Sequence, residues 1–449
     1  MARTFASTLL ALAALPLSLT AQEAWDGRTR AIHEWGTLVT VQGSRGAVLD
    51  GLLHEERDLP GVVHDLRDRA GLTALSPKME TPVIYAYSPS RWKIAVRVRF
   101  PRGLITQWYP AASSTNLQLR RGVEPPPPPD GRSIARFADG EIAWGNSGDL
   151  TVLPPGEPVD LPEVDPDDPW RFAREVEANA LAVCNRSGRL AQDPDAPPGE
   201  VVREHERFLF YRGLGDFPLP LSAQVYREEV GASQVLLQLD LENARPDEEL
   251  RHLVLIFVEN GCGAFLELPG LRGRLPIGPL VLELRPLEEL AEEWTARVAA
   301  SLAETGLFAD EALAMARTWR HGWFLGEGLR VLYVLPEPFV ERELPLEVEP
   351  HPSFDASSGT VLPGEPPVEI VRTFVARAEL LSPRREARML RAVEAWAGPD
   401  PGLRAAAREE ILAWGRFAHP YLARVRELSF DPQVALEVER ALDRLVLRR

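Results

Sequence analysis

Lysine is almost missing from this 449-residue chain: Lys78 and Lys93 are the only two, and arginine carries the rest of the positive charge. With abundant Ala and Pro, this reads as a GC-rich coding bias rather than a functional choice. Asp and Glu outnumber Lys and Arg by 66 to 50, for a formal net charge of −16. An acidic chain whose basic residues are scattered does not suit a nucleic-acid backbone or an anionic membrane surface, both of which select a basic stripe. Long apolar runs are missing after residue 21. The strongest later one, 253–258, is only strand length, whereas a spanning helix needs about 20 apolar residues, so no membrane span is expected. Catalytic signatures are missing too. Gly145-Asn146-Ser147-Gly148 has the wrong spacing for a nucleophile elbow. Gly213-Leu214-Gly215 lacks the third glycine of a dinucleotide turn. His33-Glu34 opens like a zincin motif, but Thr37 stands where the second His belongs. No phosphate-binding loop and no Cys-x-x-Cys occur, and no cofactor or metal is expected. Cysteine is limited to Cys184 and Cys262. In an oxidising compartment that pair permits one disulfide, and two buried thiols are the alternative.

What is present begins with an export signal. Arg3 supplies a basic start, residues 5–19 are uncharged and mostly apolar, and Ala21 is a small residue at a cleavage point. Residues 1–21 are therefore expected to be a cleaved leader, placing the protein in the periplasm or outside the cell. From about 31 to 285 strands dominate. Residues 92–100 alternate strictly, with Ile94, Val96, Val98 and Phe100 inward. Pro82–Tyr87 precedes them across a turn at 88–91, and 104–109 follows. Val235, Leu237, Leu239 and Leu241 mark another inward face, and Asn260-Gly261 after the apolar run 253–258 is a hairpin signal. Proline-rich or acidic stretches at 125–129, 154–169 and 192–199 read as loops. The fold class expected is mainly β (α+β overall): one or two antiparallel β-sandwich units over 22–285.

Helical spacing starts at Pro286, with Leu287, Leu290, Trp294, Val298 and Leu302 on one face, and a second helix follows from about Asp310 to His321. Strands return at 329–335 and 368–377, so 286–380 is expected to be a helix pair and returning strands packed on the β region. Residues 381–449 change character. Four apolar stripes follow Ser382-Pro383, Asp400-Pro401, His419-Pro420 and Asp431-Pro432, each a helix-start signal. This tail resembles HEAT-type helical repeats in its Asp431-Pro432-x-Val434 opening and helix-pair layout, with a shorter repeat and at most two units. Two units are marginal alone, so the tail should dock on the β region. Residues from about 31 to 380 resemble an uncharacterised family of exported bacterial proteins. The resemblance rests on His33-Glu34-Trp35-Gly36-Thr37, on 79–85, on 210–215 and on 319–333. It implies a location and says nothing of catalysis.

Several residues are candidates for a site. His33, His54 and His64 with Asp65 and Glu80 place imidazoles and carboxylates in one stretch, a donor set that suits zinc, although the spacing matches no ligand motif. Glu34 belongs to the same group. Asp160, Glu163, Asp165, Asp167 and Asp168 lack the turn glycine of a calcium loop and read as solvated. Trp319, His321 and Trp323, followed by Glu327, could line a groove, or the two tryptophans could be core at a helix end. Arg212 and Asp216 could form a local pair at a strand end. The expectation is a non-enzymatic exported protein that binds a protein or carbohydrate ligand. The alternative is an extracytoplasmic hydrolase of glycosides or peptides using carboxylates and His33, His64 or His321, with or without the assistance of a metal.

Overall fold

The computed structural model describes residues 25–49, 59–65, 77–115, 140–186, 201–355, 360–414, 418–428 and 431–446. The leader, His54 and the stretches 125–129 and 192–199 lie outside them. Twenty-two described strands form a mainly β framework, with helices on one face and at the C-terminus.

A ten-stranded sheet is the backbone of the molecule. Its spatial order is β17 (Arg285–Pro286), β15 (Cys262–Leu268), β14 (Arg251–Glu259), β18 (Gly328–Val334), β22 (Glu369–Leu380), β1 (Ala31–Gln42), β3 (Lys78–Tyr87), β11 (Leu209–Gly215), β5 (Gly103–Tyr109), β2 (His64–Asp65). Neighbours are antiparallel except at the centre, where β1 and β22 run parallel from Ala31↔Glu369 to Gln42↔Leu380. The strands that return after residue 286 are thus hydrogen-bonded into the middle of this sheet. Gly36 allows this packing, because a Cβ there would sit 2.9 Å from the Phe374 ring and 3.0 Å from Pro82 Cα. The β14–β15 hairpin turns at Asn260 (φ 53°) and Gly261 (φ 73°), the left-handed pair a two-residue turn needs.

A second sheet carries β10 (Val201–Glu206), β9 (Leu181–Arg186), β8 (Leu150–Val152), β4 (Trp92–Phe100), β7 (Gly140–Trp144) and β6 (Ser114–Thr115), with β19 (Leu346–Pro350) also on β4. A third holds β12 (Leu221–Val230), β13 (Gln234–Asn243) and β16 (Arg274–Glu283). Residues 88–91 do not join a hairpin. They carry the chain from β3 in the first sheet to β4 in the second. Alternation puts Ile94, Val96 and Val98 of β4 and Val235, Leu237 and Leu239 of β13 into one core with Leu38, Ile84, Leu255 and Phe374 of the ten-stranded sheet. That sheet's other face is covered by α1 (Trp170–Arg174), α2 (Leu287–Ala303), α3 (Ala309–Thr318) and a wide π-type turn at His321–Leu325. Trp319 and Trp323 are buried there as core.

After α4 (Glu337–Glu343), the chain ends in α5 (Pro383–Ala397), α6 (Pro401–Ala413), α7 (Ala418–Leu428) and α8 (Pro432–Val446). Ser382 caps α5 by accepting from Arg385 N–H, and Asp400 caps α6 from Gly402 and Leu403. The tail has its own core around Trp396, Ile411, Leu422 and Val438, and this core also contains Val41 of β1 and Leu381. Docking is reinforced where Ser44 donates to Glu386. Arg384 and Arg385 add ion pairs to Glu228 and Glu259.

The disulfide is not formed. Cys184 lies on β9 of the second sheet and is exposed, while Cys262 lies on β15 of the first and is half-buried. Both thiols are free, and neither is a core residue.

Candidate functional site

The sequence candidates fall into separate places. His33 is fully buried. Its Nδ1 lies 2.7 Å from Glu311 Oε2, and its ring stacks on Phe308 at 4.5 Å. Glu311 also accepts from the Tyr87 hydroxyl (2.9 Å) and the Phe308 N–H (2.8 Å). Burial and the Glu311 charge push the Tyr87 hydroxyl well above the usual tyrosine range. This cluster ties the N-terminus of α3 to β1 and β3. Glu34 points to the opposite side of β1, where it accepts from Tyr211 (2.5 Å) and Arg372 (2.6 Å). His64 sits at the far sheet edge, 3.5 Å from Glu204. Asp216 is exposed, and Arg212 turns instead to Gln107 at 3.4 Å and faces Glu80. The acidic loop 154–169 places Glu163, Asp165 and Asp167 at the surface. Among the described residues, no three His, Cys, Asp or Glu side chains converge as a metal site requires.

Two candidates do meet. Glu80 and Arg212 belong to a band of charges on the helix-facing side of the ten-stranded sheet. Lys78 lies 2.9 Å from Glu80, Glu80 lies 3.8 Å from Arg377, and Arg377 lies 3.5 Å from Glu379. Glu379 lies 3.2 Å from Arg330. Register explains the row: Lys78 and Arg377 both oppose Val39 of β1, and Arg330 opposes Glu379. Burial disfavours the Glu80 carboxylate, but Lys78, Arg377 and Arg212 outweigh it and hold its pKa below the ordinary value. Burial pulls the Arg330 guanidinium below its usual range, against the pull of Glu379. Arg330 donates to three carbonyls of the turn after α3: Trp323 (3.0 Å), Gly326 (2.6 Å) and Glu327 (3.0 Å). A buried guanidinium there satisfies carbonyls that a helix end leaves orphaned.

That turn is one wall of a cleft of about 680 Å³, inside the size range of small-molecule sites. Its floor is the end of β22 at Glu379, Leu380 and Leu381. One wall carries Glu259, Asn260, His321 and Glu327. The other is the tail, through Arg384, Arg385, Arg388 and Arg391 of α5 and Trp414 beyond α6. Positions 384, 388 and 391 repeat at i, i+4 and i+7, so α5 presents an arginine stripe along one face. Arg384 and Arg385 are held by Glu228 and Glu259. Arg388 meets Glu410 at 2.6 Å as a largely exposed pair, which contributes little stability. Arg391 makes no ion pair among the described residues. Of the sequence candidates, His321 and the Glu327 that follows it line this cleft. The i, i+4, i+7 spacing of the α5 arginines is a signal that the reading of the basic residues as scattered passes over, and nothing local announces that the docked tail closes the stripe over the end of the sheet. No protein-family model matches the chain, and no curated protein matches it at a significant level.

Proposed function

We propose that this is an exported protein that acts by binding, and that its ligand occupies the cleft between the end of the ten-stranded sheet and the helical tail. The observation that carries the reading is the cleft itself. It holds about 680 Å³ between two separately built parts of the chain and is lined by arginines, a histidine and a tryptophan. Sites between structural units, with a few convergent polar groups, are where small ligands are most often held. Export is supported by the pattern of residues 1–21.

The hydrolase alternative is less well supported. Carboxylate-pair glycosidases need one carboxyl that stays protonated to donate to the leaving group. Glu80 has the opposite environment, with three cations keeping it charged. His33 and Glu34 are fully buried in contacts that tie elements together.

The test is a thermal-shift screen of the mature protein against neutral, anionic and cationic small ligands. It is repeated on Ala413→Trp, which fills the cleft from its exposed wall. A ligand that raises the melting temperature of the wild type and not of A413W supports the reading. Absence of any such ligand overturns it, and so does turnover of model glycosides or peptides.

A further inference from the structure

We infer that the cleft takes an acidic oligosaccharide, with a uronate carboxylate held by Arg388 and Arg391 and a sugar ring lying against Trp414. This rests on the binding reading above and narrows it to one ligand class. The four arginines of the wall are not equivalent. Arg384 and Arg385 each contact both Glu228 and Glu259, so they are committed to docking the tail. Arg388 is itself largely exposed and has a single partner, the partly exposed Glu410, and Arg391 has no ion pair among the described residues. These two lie three residues apart on one helix, close enough for both guanidinium groups to reach one carboxylate.

The opposite wall limits what else can bind. Glu259 and Glu327 are acceptors, and each spends one described oxygen on the protein: Glu259 on the two arginines and Glu327 on Asn260 N–H at 2.9 Å. Carboxylates facing the arginines disfavour the dense charge of a polyphosphate more than the single carboxylate of each uronate ring, and they accept hydrogen bonds from hydroxyls. Trp414 supplies an apolar face beside them, braced by Tyr421 at 5.7 Å. An aromatic face, hydroxyl acceptors and a pair of cations together match a hydroxyl-rich ring carrying one carboxylate. A cleft of about 680 Å³ is also far larger than a lone inorganic anion requires.

Calorimetric titration of the full mature chain tests this with trimeric galacturonate and mannuronate, their neutral methyl esters, and inorganic phosphate. At least one acidic trimer should bind, and its methyl ester should bind about tenfold or more weakly, the scale of a lost charge-assisted hydrogen bond. Arg391→Gln should remove most of that difference, while Trp414→Ala should weaken acid and ester alike. Both side chains are at least partly exposed, and a far-UV melt of each variant confirms folding. Equal binding of acid and ester, phosphate competing as well as the trimer, or no loss in R391Q and R388Q would each overturn the inference. If no saccharide binds, the acidic-sugar assignment falls, while A413W-sensitive binding of another ligand would leave the binding reading intact.

Discussion

Replacing Arg330 with methionine probes whether the buried charge band organises the wall of the cleft. Arg330 is completely buried, pairs with Glu379 and donates to three main-chain carbonyls. Removing one partner of a buried ion pair costs about 3–5 kcal/mol, because the remaining charge is stranded. Glu379 keeps Arg377 at 3.5 Å, which favours the lower end for that part. The three carbonyls lose their donor as well, at about 1–3 kcal/mol for each that water cannot reach. Since the turn lies at the cleft, water reaches some of them, so a total of about 4 kcal/mol is expected. Urea denaturation followed by circular dichroism should show the midpoint falling with an unchanged slope. The diagnostic comparison is Arg330→Met with Glu379→Leu. If the stranded carboxylate is the main cost, the double variant recovers at least about 1 kcal/mol of the single variant's loss. A single-variant loss below about 1 kcal/mol, or strict additivity in the double variant, would refute the argument.

Four further outcomes are expected. Glu80 has a depressed pKa in the folded chain, so its contribution is present above the unfolded value near 4.5 and is lost as pH falls through the folded value. Glu80→Gln should flatten that acid limb in pH-dependent melts. His252 is lowered from 6.5, mainly by burial. The unfolded chain therefore binds more protons, and stability should decline as pH drops below about 6.5, a slope that His252→Asn removes. Truncation after Ser382 uncovers Val41 and Leu381 and should lower the melting temperature or solubility; an unchanged melt would show that the tail is an independent appendage. Under non-reducing native conditions a maleimide should label Cys184 rapidly and Cys262 more slowly, and failure to label either would indicate a disulfide.

The sequence was most readable where structure is local. Strict alternation in 92–100 predicted the inward face of β4, and Asn260-Gly261 predicted the β14–β15 hairpin. The Ser382 and Asp400 caps predicted two helix starts in the tail. What it did not reveal depends on partners far away in the chain. His33 meets Glu311, Glu34 meets Arg372, and Glu80 meets Arg377. No periodicity encodes such pairs, since each is set by strand register or by how a helix docks on the sheet, between residues far apart in the chain. Arg212 and Asp216 are near neighbours in sequence, but strand geometry points Arg212 across the sheet to Gln107 and Glu80 instead. The arginines of α5 went unread among basic residues taken as scattered, because their role depends on where α5 docks.

The parallel pairing of β1 with β22 sets the order in which the chain can assemble. One long flank of the first strand stays bare until residues 369–380 arrive. Every earlier stage exposes an open, largely apolar edge in the centre of what will become the largest sheet. Contacts of such long range form slowly, because the intervening loop must close before the pairing stabilises anything. Here the strand that fills the centre lies near the end of the chain, so during synthesis topology alone delays closure of the largest sheet until most of the protein has been made.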